Sequence, residues 1–413
     1  ASLYYLFGNE NLFWGRFVSV IASLVNFVLF AAIVRFLVSE KIALLSSFFF
    51  FVLSPISLVL SRAIQIEQTS LTFGLVAIYF LSLWSQRHHR FYWLSLFFFT
   101  LTLAQEATLA YLSFPLLTIF YLQNKRDFLK SFRLWFYFLT SLIVAGCWYF
   151  LIMAKFNQSF SNGWNVALNP RIWINLPSLI SLKFWVNAFY HFQEWSITSL
   201  GTVLVVLGLF TLPFKRYLVF IVWLLGALVS IIYRSRPAIA TSYYFFTFVP
   251  PAAVLAAKGL DYLLRRFSLK RLIIPVKLAV ILISLTAVLA TWRIYVFNLY
   301  VPSPKHAHVL ETAWQIKSLV PPQAKIITSS YSSNILQFYA DHPGNSLVIS
   351  FPDNSTNTTL IEFSRLKNQG AQYYVISDKT ELDKNPAFKD EILRYRPIYE
   401  TDQILLVDLT NVR

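Results

Sequence analysis

In residues 1–296, the side chains placed to do chemistry are few. Four carboxylates (Glu10, Glu67, Glu106, Glu194) and four arginines (Arg16, Arg62, Arg234, Arg236) stand where apolar runs begin or end. Carboxylates there can take a proton from an attacking hydroxyl. Arginine grips a phosphate through two parallel N–H bonds. The stretch Arg234-Ser235-Arg236 leads within eight residues to the pair Tyr243–Tyr244, which adds two phenolic donors. The plain alternative for each arginine is an anchor whose stem lies on apolar surface and whose head reaches water. For the acids it is a solvated boundary position, since carboxylates at membrane depth are costly. Histidines are scattered (among them His88, His89, His306, His308 and His342), and no HExxH or Cys/His cluster occurs, so no metal site is expected. The lone Cys147 excludes an internal disulfide.

The elements that carry these residues are membrane spans. Hydrophobic residues make up 57% of the chain and charged ones 13%, against about a quarter charged in soluble domains. Residues 1–296 hold 24 Lys/Arg and 7 Asp/Glu, a balance of +17. Residues 297–413 hold 11 and 12. The basic residues sit between apolar runs, which excludes a nucleic-acid surface. They cluster at Arg87–Arg90, Lys125–Arg133, Lys215–Arg216 and Lys258–Arg271, with Lys41 alone. Glu40, Asp127 and Asp261 fall in the same turns. Such turns stay inside. Apolar stretches of span length are read at 17–37, 42–60, 67–84, 91–104, 107–122, 134–154, 196–213, 217–233, 239–257 and 273–296. Splitting 91–122 at Gln105–Glu106 keeps both flanking basic clusters on one face. The outer segments are then 1–16, 61–66, 105–106, 155–195, 234–238 and everything after 296. In the longest, the pattern over 178–192 predicts a helix lying along the interface. The same parity puts Ala1 outside, in mid-loop, and predicts a further span upstream.

Residues 297–413 read differently. Short apolar strands are expected at 325–330, 346–350, 372–377 and 403–409, with helices at 305–319, 332–340, 357–369 and 386–395. That alternation predicts a small α/β domain with a largely parallel sheet. The expected organisation is a membrane body, 1–296, and an extracytoplasmic α/β domain, 297–413.

Three groups of outer residues share one order. Phe7-Gly8-Asn9-Glu10 precedes Arg16 and a span, Leu60-Ser61-Arg62 precedes Glu67 and a span, and Arg234-Ser235-Arg236 precedes Tyr243, Tyr244 and Pro250–Pro251. The order resembles that of the polytopic GT-C glycosyltransferases, in particular the bacterial protein-mannosyltransferase and aminoarabinose-transferase-like group. The resemblance implies a cell-envelope enzyme of a bacterial inner membrane. It would move a hexosyl or pentosyl group from a polyprenyl-phosphate donor to a glycan, lipid or protein acceptor at the outer face. It implies no cofactor beyond that donor. Glu10, Arg16, Arg62 and Glu67 match the family's loop positions, and Arg234, Arg236, Tyr243 and Tyr244 would bind donor phosphate or substrate. The family's catalytic Asp belongs to the first outer loop, and the resemblance places it upstream of Ala1. Without it the chain as given is expected to be inactive, with Glu10 and Glu67 the nearest candidates. Gln105–Glu106 stands where the family often has Thr-Lys. The competing readings are a carrier or flippase for a lipid-linked saccharide, which should show repeats, and a non-catalytic assembly partner. The parity is tested by a reporter enzyme fused after Arg413. It is expected to be active on the extracytoplasmic side, and cytoplasmic activity would overturn the sidedness.

Overall fold

The computed structural model describes residues 12–51, 53–63, 66–86, 89–156, 174–235, 242–266, 304–329, 336–337, 340–347, 349 and 356–412. Glu10, Arg236, the last expected span (273–296) and most of the helix expected at 332–340 lie outside them. The chain divides into two compact units, Ala1–Tyr295 and Val296–Arg413.

The first unit is helical. Its described helices are α1 (Leu12–Leu37), α2 (Glu40–Phe51), α3 (Pro55–Leu60), α4 (Glu67–Trp84), α5 (Arg90–Gln105), α6 (Ser113–Asn124), α7 (Phe132–Phe156), α8 (Leu176–Ile180), α9 (Leu182–His191), α10 (Thr198–Thr211), α11 (Phe214–Tyr233) and α12 (Val249–Arg266). Phe13–Leu37, Phe132–Ile152 and Phe214–Tyr233 are each long and apolar enough to cross a membrane alone. The pair Leu182–Ser196 and Thr198–Thr211 passes together but bends by 105°. That bend contains a π-turn at Phe192–Ser196 and a left-handed Thr198, φ 67°.

The expected split of 91–122 falls at Glu106, which is extended (φ −150°, ψ 101°) between α5 and a 3₁₀ turn, Ala107–Leu112. Two expectations need correction. The span expected at 42–60 is not one helix, because Ser54 accepts the Ser57 N–H and starts a second helix with Pro55 in its first turn. Proline is tolerated there, since that N–H is unpaired anyway. The basic stretch from Lys258 to Arg266 is helix, not turn. Asp261, 2% exposed, sits 3.6 Å from Lys258, 3.0 Å from Arg265 and 2.5 Å from Lys41 of α2. Pairs at i, i+3 and i, i+4 lie on one helix face, so the charges that suggested a turn instead hold α12 together and tie it to α2. Residues 178–192 are helical as expected, interrupted at Ser181. Ile180, Leu182, Val186 and Phe189 are more than half exposed.

α10 and α12 cross at a pair of glycines. A Cβ on Gly208 would overlap the Leu255 carbonyl oxygen, and one on Gly259 the Leu204 carbonyl oxygen. Small residues let membrane helices approach backbone to backbone where no hydrophobic force draws them together.

The second unit is built on a sheet of order β2-β1-β3-β5-β4. Its strands are β1 (Lys325–Ser329), β2 (Gly344–Ser346), β3 (Ala371–Ile376), β4 (Tyr395–Glu400) and β5 (Leu405–Val412), with helices α13 (Pro304–Leu319), α14 (Thr356–Asn368) and α15 (Pro386–Leu393). Alternate strand residues face opposite ways. Ile326, Val375 and Leu406 pack with Val309 and Ile316 of α13. Ile327, Tyr374 and Val407 pack with Phe363 of α14 and Phe388 of α15. The sheet is parallel only over β2-β1-β3, since β3–β5 and β4–β5 are antiparallel. The expectation of a largely parallel sheet fails at β4, whose half-polar sequence YRPIYE shows the alternating burial of an edge strand. Four residues join β4 to β5, enough for a hairpin but not for a parallel crossover.

Gly208→Val should lower the thermal midpoint in detergent, as overpacking costs about 1–3 kcal/mol. Gly146→Ala, whose Cβ would meet nothing within 4 Å, should hold or raise it, as alanine favours a helix interior over glycine. Equal midpoints for both would remove the crossing as a constraint.

Candidate active site

Packing brings several helix ends to one end of the first unit. Glu67 opens α4, and Gln105 and Glu106 follow from the end of α5. The Gln105 side-chain amide donates to Thr69 Oγ1 at 2.7 Å, fixing those two ends together. Tyr149 of α7 closes the same end. Its hydroxyl donates to the Leu103 carbonyl at 2.8 Å and accepts the Ala107 N–H at 3.0 Å. α1 is held alongside. Asn26 Nδ2 donates to both oxygens of Gln68, each at 2.9 Å, and Ser19 Oγ donates to the Ala63 carbonyl at 2.6 Å.

Arg234 caps α11 at this end and is 3% exposed. It donates to the Thr108 carbonyl at 2.7 Å, and its guanidinium carbon lies 5.0 Å from the Tyr244 ring centroid. The neighbouring Ser235 accepts the Asn175 N–H at 2.9 Å, which draws the approach to α8 against the same turn. Tyr243 and Tyr244 lie in a 3₁₀ turn, Ser242–Phe248, and the Tyr243 hydroxyl donates to that of Tyr244 at 2.9 Å.

The charges interact as a group. Glu67 is within electrostatic reach of Glu106 and Arg234, Tyr243 of Glu67 and Arg234, and Tyr111 of Arg234 and Glu106. Glu106 accepts the Thr108 hydroxyl through Oε1. Glu67 Oε2, Glu106 Oε2 and the hydroxyl of Tyr111, itself 4% exposed, are buried with no hydrogen-bond partner among the described residues. Within the trio of Glu67, Glu106 and Arg234, the Arg234 charge offsets part of the repulsion between Glu67 and Glu106.

Of the residues singled out from sequence, the structure brings together Glu67, Arg234, Tyr243 and Tyr244. Arg62 is exposed in the turn after α3, a helix that packs on the Tyr243–Tyr244 turn. Arg16 is exposed one turn before Ser19, whose partner Ala63 adjoins Arg62. Glu194 lies half-buried in the π-turn, which packs on the turn that carries Tyr243 and Tyr244. Glu10 and Arg236 lie outside the described residues. Glu106, singled out from sequence as a boundary acid without an assigned role, joins this group, and Tyr111 was not singled out at all. Glu106 carried a signal, being one of seven acids in residues 1–296. Tyr111, inside an apolar run, carried none. Among the described residues no three Asp, Glu, His or Cys side chains are grouped to hold a metal ion.

Fold and site together define a polytopic membrane protein with the GT-C fold. Its first 150 residues match the family described as dolichyl-phosphate-mannose-protein mannosyltransferase. The structure is similar to that of ArnT from Cupriavidus metallidurans bound to undecaprenyl phosphate, with TM-score 0.56 and 15% identity, over 98% of this chain and 85% of that one. It is also similar to the Archaeoglobus fulgidus oligosaccharyltransferase in complex with zinc and sulfate, with TM-score 0.50 and 12% identity, over 88% of this chain and 56% of that one. The same enzyme tethered to an acceptor peptide gives TM-score 0.50 at 10% identity, over 95% and 62%. This chain thus spans under two thirds of the oligosaccharyltransferase. No curated protein matches it by sequence.

Removing Arg234 should leave two carboxylates uncompensated. Breaking a buried charge group this way costs about 3–5 kcal/mol, so Arg234→Leu should lower the thermal midpoint sharply, and adding Glu106→Gln should restore part of the loss. Tyr111→Phe deletes an unpaired hydroxyl and should be neutral or stabilising. A wild-type midpoint in Arg234→Leu would show that the trio is not coupled.

Proposed function

We propose that this protein transfers a sugar from a polyprenyl-phosphate donor to an acceptor at the membrane surface, at the helix ends that carry Glu67, Glu106 and Arg234. The supporting observation is the convergence of two carboxylates with unpartnered oxygens, a buried arginine and two tyrosines, in a fold shared with an ArnT that binds undecaprenyl phosphate. The charge balance divides the labour. Arg62 and Arg16, exposed at the same end, meet the donor phosphate from the open side and stabilise it as it leaves. Tyr243 and Tyr244 add hydrogen bonds to it. Glu67 takes the proton of the acceptor hydroxyl, with the Arg234 charge within electrostatic reach of it. Glu106 holds sugar or acceptor hydroxyls. Arg236 and Glu10 are assigned to the same surface by their place in the sequence. The site faces the extracytoplasmic side of a bacterial inner membrane.

One feature favours the alternative of a non-catalytic relative, namely an acid at 106 where the family pattern often has Thr-Lys. Transfer assays decide between them. The full-length protein is placed in vesicles with a panel of labelled polyprenyl-phosphate sugars and membrane acceptors, and undecaprenyl phosphate affinity is measured alongside. Arg62→Ala should weaken undecaprenyl phosphate binding at least tenfold. Glu67→Gln should cut transfer about 10²–10⁴-fold, the range for a general base, with affinity within threefold of wild type. Binding without transfer for every donor would establish the partner reading. Label crossing the bilayer unchanged would establish a carrier.

A further inference from the structure

A cavity lies at the end of α4 opposite to the proposed transfer site. Glu67 and Trp84 are the two ends of this helix, and its 18 residues span roughly 25 Å at 1.5 Å per residue. The cavity measures about 280 Å³. A water occupies about 30 Å³ of liquid, so the space suits a small headgroup with the first part of a chain. Its walls are Trp84, Tyr92, Trp93, Phe132 and Phe136, and its polar groups include the Arg133 guanidinium and the His89 imidazole.

The walls are preformed. Trp84 packs tilted against Tyr92 at 5.5 Å, Trp93 edge-on against Phe136 at 5.8 Å and Phe132 tilted against Phe136 at 5.7 Å between ring centroids. The Tyr92 hydroxyl donates to the Arg133 carbonyl at 2.8 Å, which holds the start of α7 against the start of α5. Trp84 and Tyr92 are buried, but Trp93 is 58% and Phe132 78% exposed. One side of the cavity thus continues onto bare aromatic surface. This is also the end to which the sequence assigns its basic turns. Lys125 and Lys130 lie in the turn before α7, and the one acid there, Asp127, is taken up by Lys130 at 2.9 Å. Arg90 lies over the Phe91 ring at 5.1 Å.

We propose that this cavity binds one anionic phospholipid of the inner leaflet, its phosphate on Arg133 and His89 and its upper chain along Trp93, Phe132 and Phe136. Basic pockets between helices on this face suit anionic headgroups, and aromatic side chains at the interface suit the chain below them. A free anion would leave the aromatic walls against water, whereas a lipid covers both halves. The proposal is independent of the transfer reaction.

The test uses the full chain in detergent, titrated separately with phosphatidylglycerol, phosphatidylcholine and inorganic phosphate, with bound lipid counted by native mass spectrometry. Wild type should retain one phosphatidylglycerol at occupancy well above phosphatidylcholine. Arg133→Glu should lower that occupancy about tenfold, Arg133→Lys should preserve it, and Trp93→Ala should lower retention without altering the headgroup preference. Circular dichroism checks folding, and Trp93→Ala decides if Arg133→Glu fails to fold. Wild-type occupancy in both variants, or equal retention of the two lipids, overturns the proposal. Displacement of phosphatidylglycerol by millimolar inorganic phosphate would show a small-anion site instead.

Discussion

A guanidinium that is 3% exposed must be neutralised and hydrogen-bonded from within the protein, and Arg234 meets both needs with groups from other helices. It donates to Thr108, in the turn after α5, and lies over Tyr244, ahead of α12. Its charge faces Glu67 at the head of α4. The end of α11, the turn after α5 and the turn before α12 are therefore held by a single cation, with the head of α4 within reach of its charge. A buried charge left without its partners costs several kcal/mol, so these ends cannot drift apart independently. The rest of the helical unit, including the α10–α12 glycine crossing and the Asp261 cluster, keeps the helices in register so that these ends meet.

The parts of the fold that were legible in sequence were those written in periodicity and charge spacing. Apolar runs bounded by Lys and Arg gave the helices, and the break at Glu106 followed from keeping basic clusters on one face. What sequence could not give was which charges pair. Lys258, Asp261 and Arg265 look like turn residues until a helix aligns them at three- and four-residue spacing. The Ser54–Pro55 restart was hidden in an otherwise continuous apolar run. In the α/β unit, β1 and β3 announced themselves as buried apolar strands. β4 did not, because an edge strand buries only alternate residues and YRPIYE reads as surface.

The candidate site divides the same way. Glu67 and Arg234 stood out because charge is rare in the first 296 residues. Tyr243 and Tyr244 stood out by adjacency to Arg234 and Arg236. Tyr111 was invisible, since a tyrosine among leucines and alanines reads as packing, and only its buried, unpaired hydroxyl near two charges marks it.

The electrostatics of the trio also constrain what the proposed transferase can do with a phosphate. Two carboxylates around one guanidinium repel an approaching phosphate, and Arg234 already spends one donor on Thr108 and one face on Tyr244. A donor phosphate held directly on Arg234 would have to displace these contacts and lie beside Glu67 and Glu106. A phosphate held on Arg62 or Arg16, both exposed, would not have to enter the buried Arg234 site. It also leaves the carboxylates facing hydroxyl groups, which carry the protons they can accept. In the proposed site, the acid at 106 would thus move phosphate binding outward from the buried arginine.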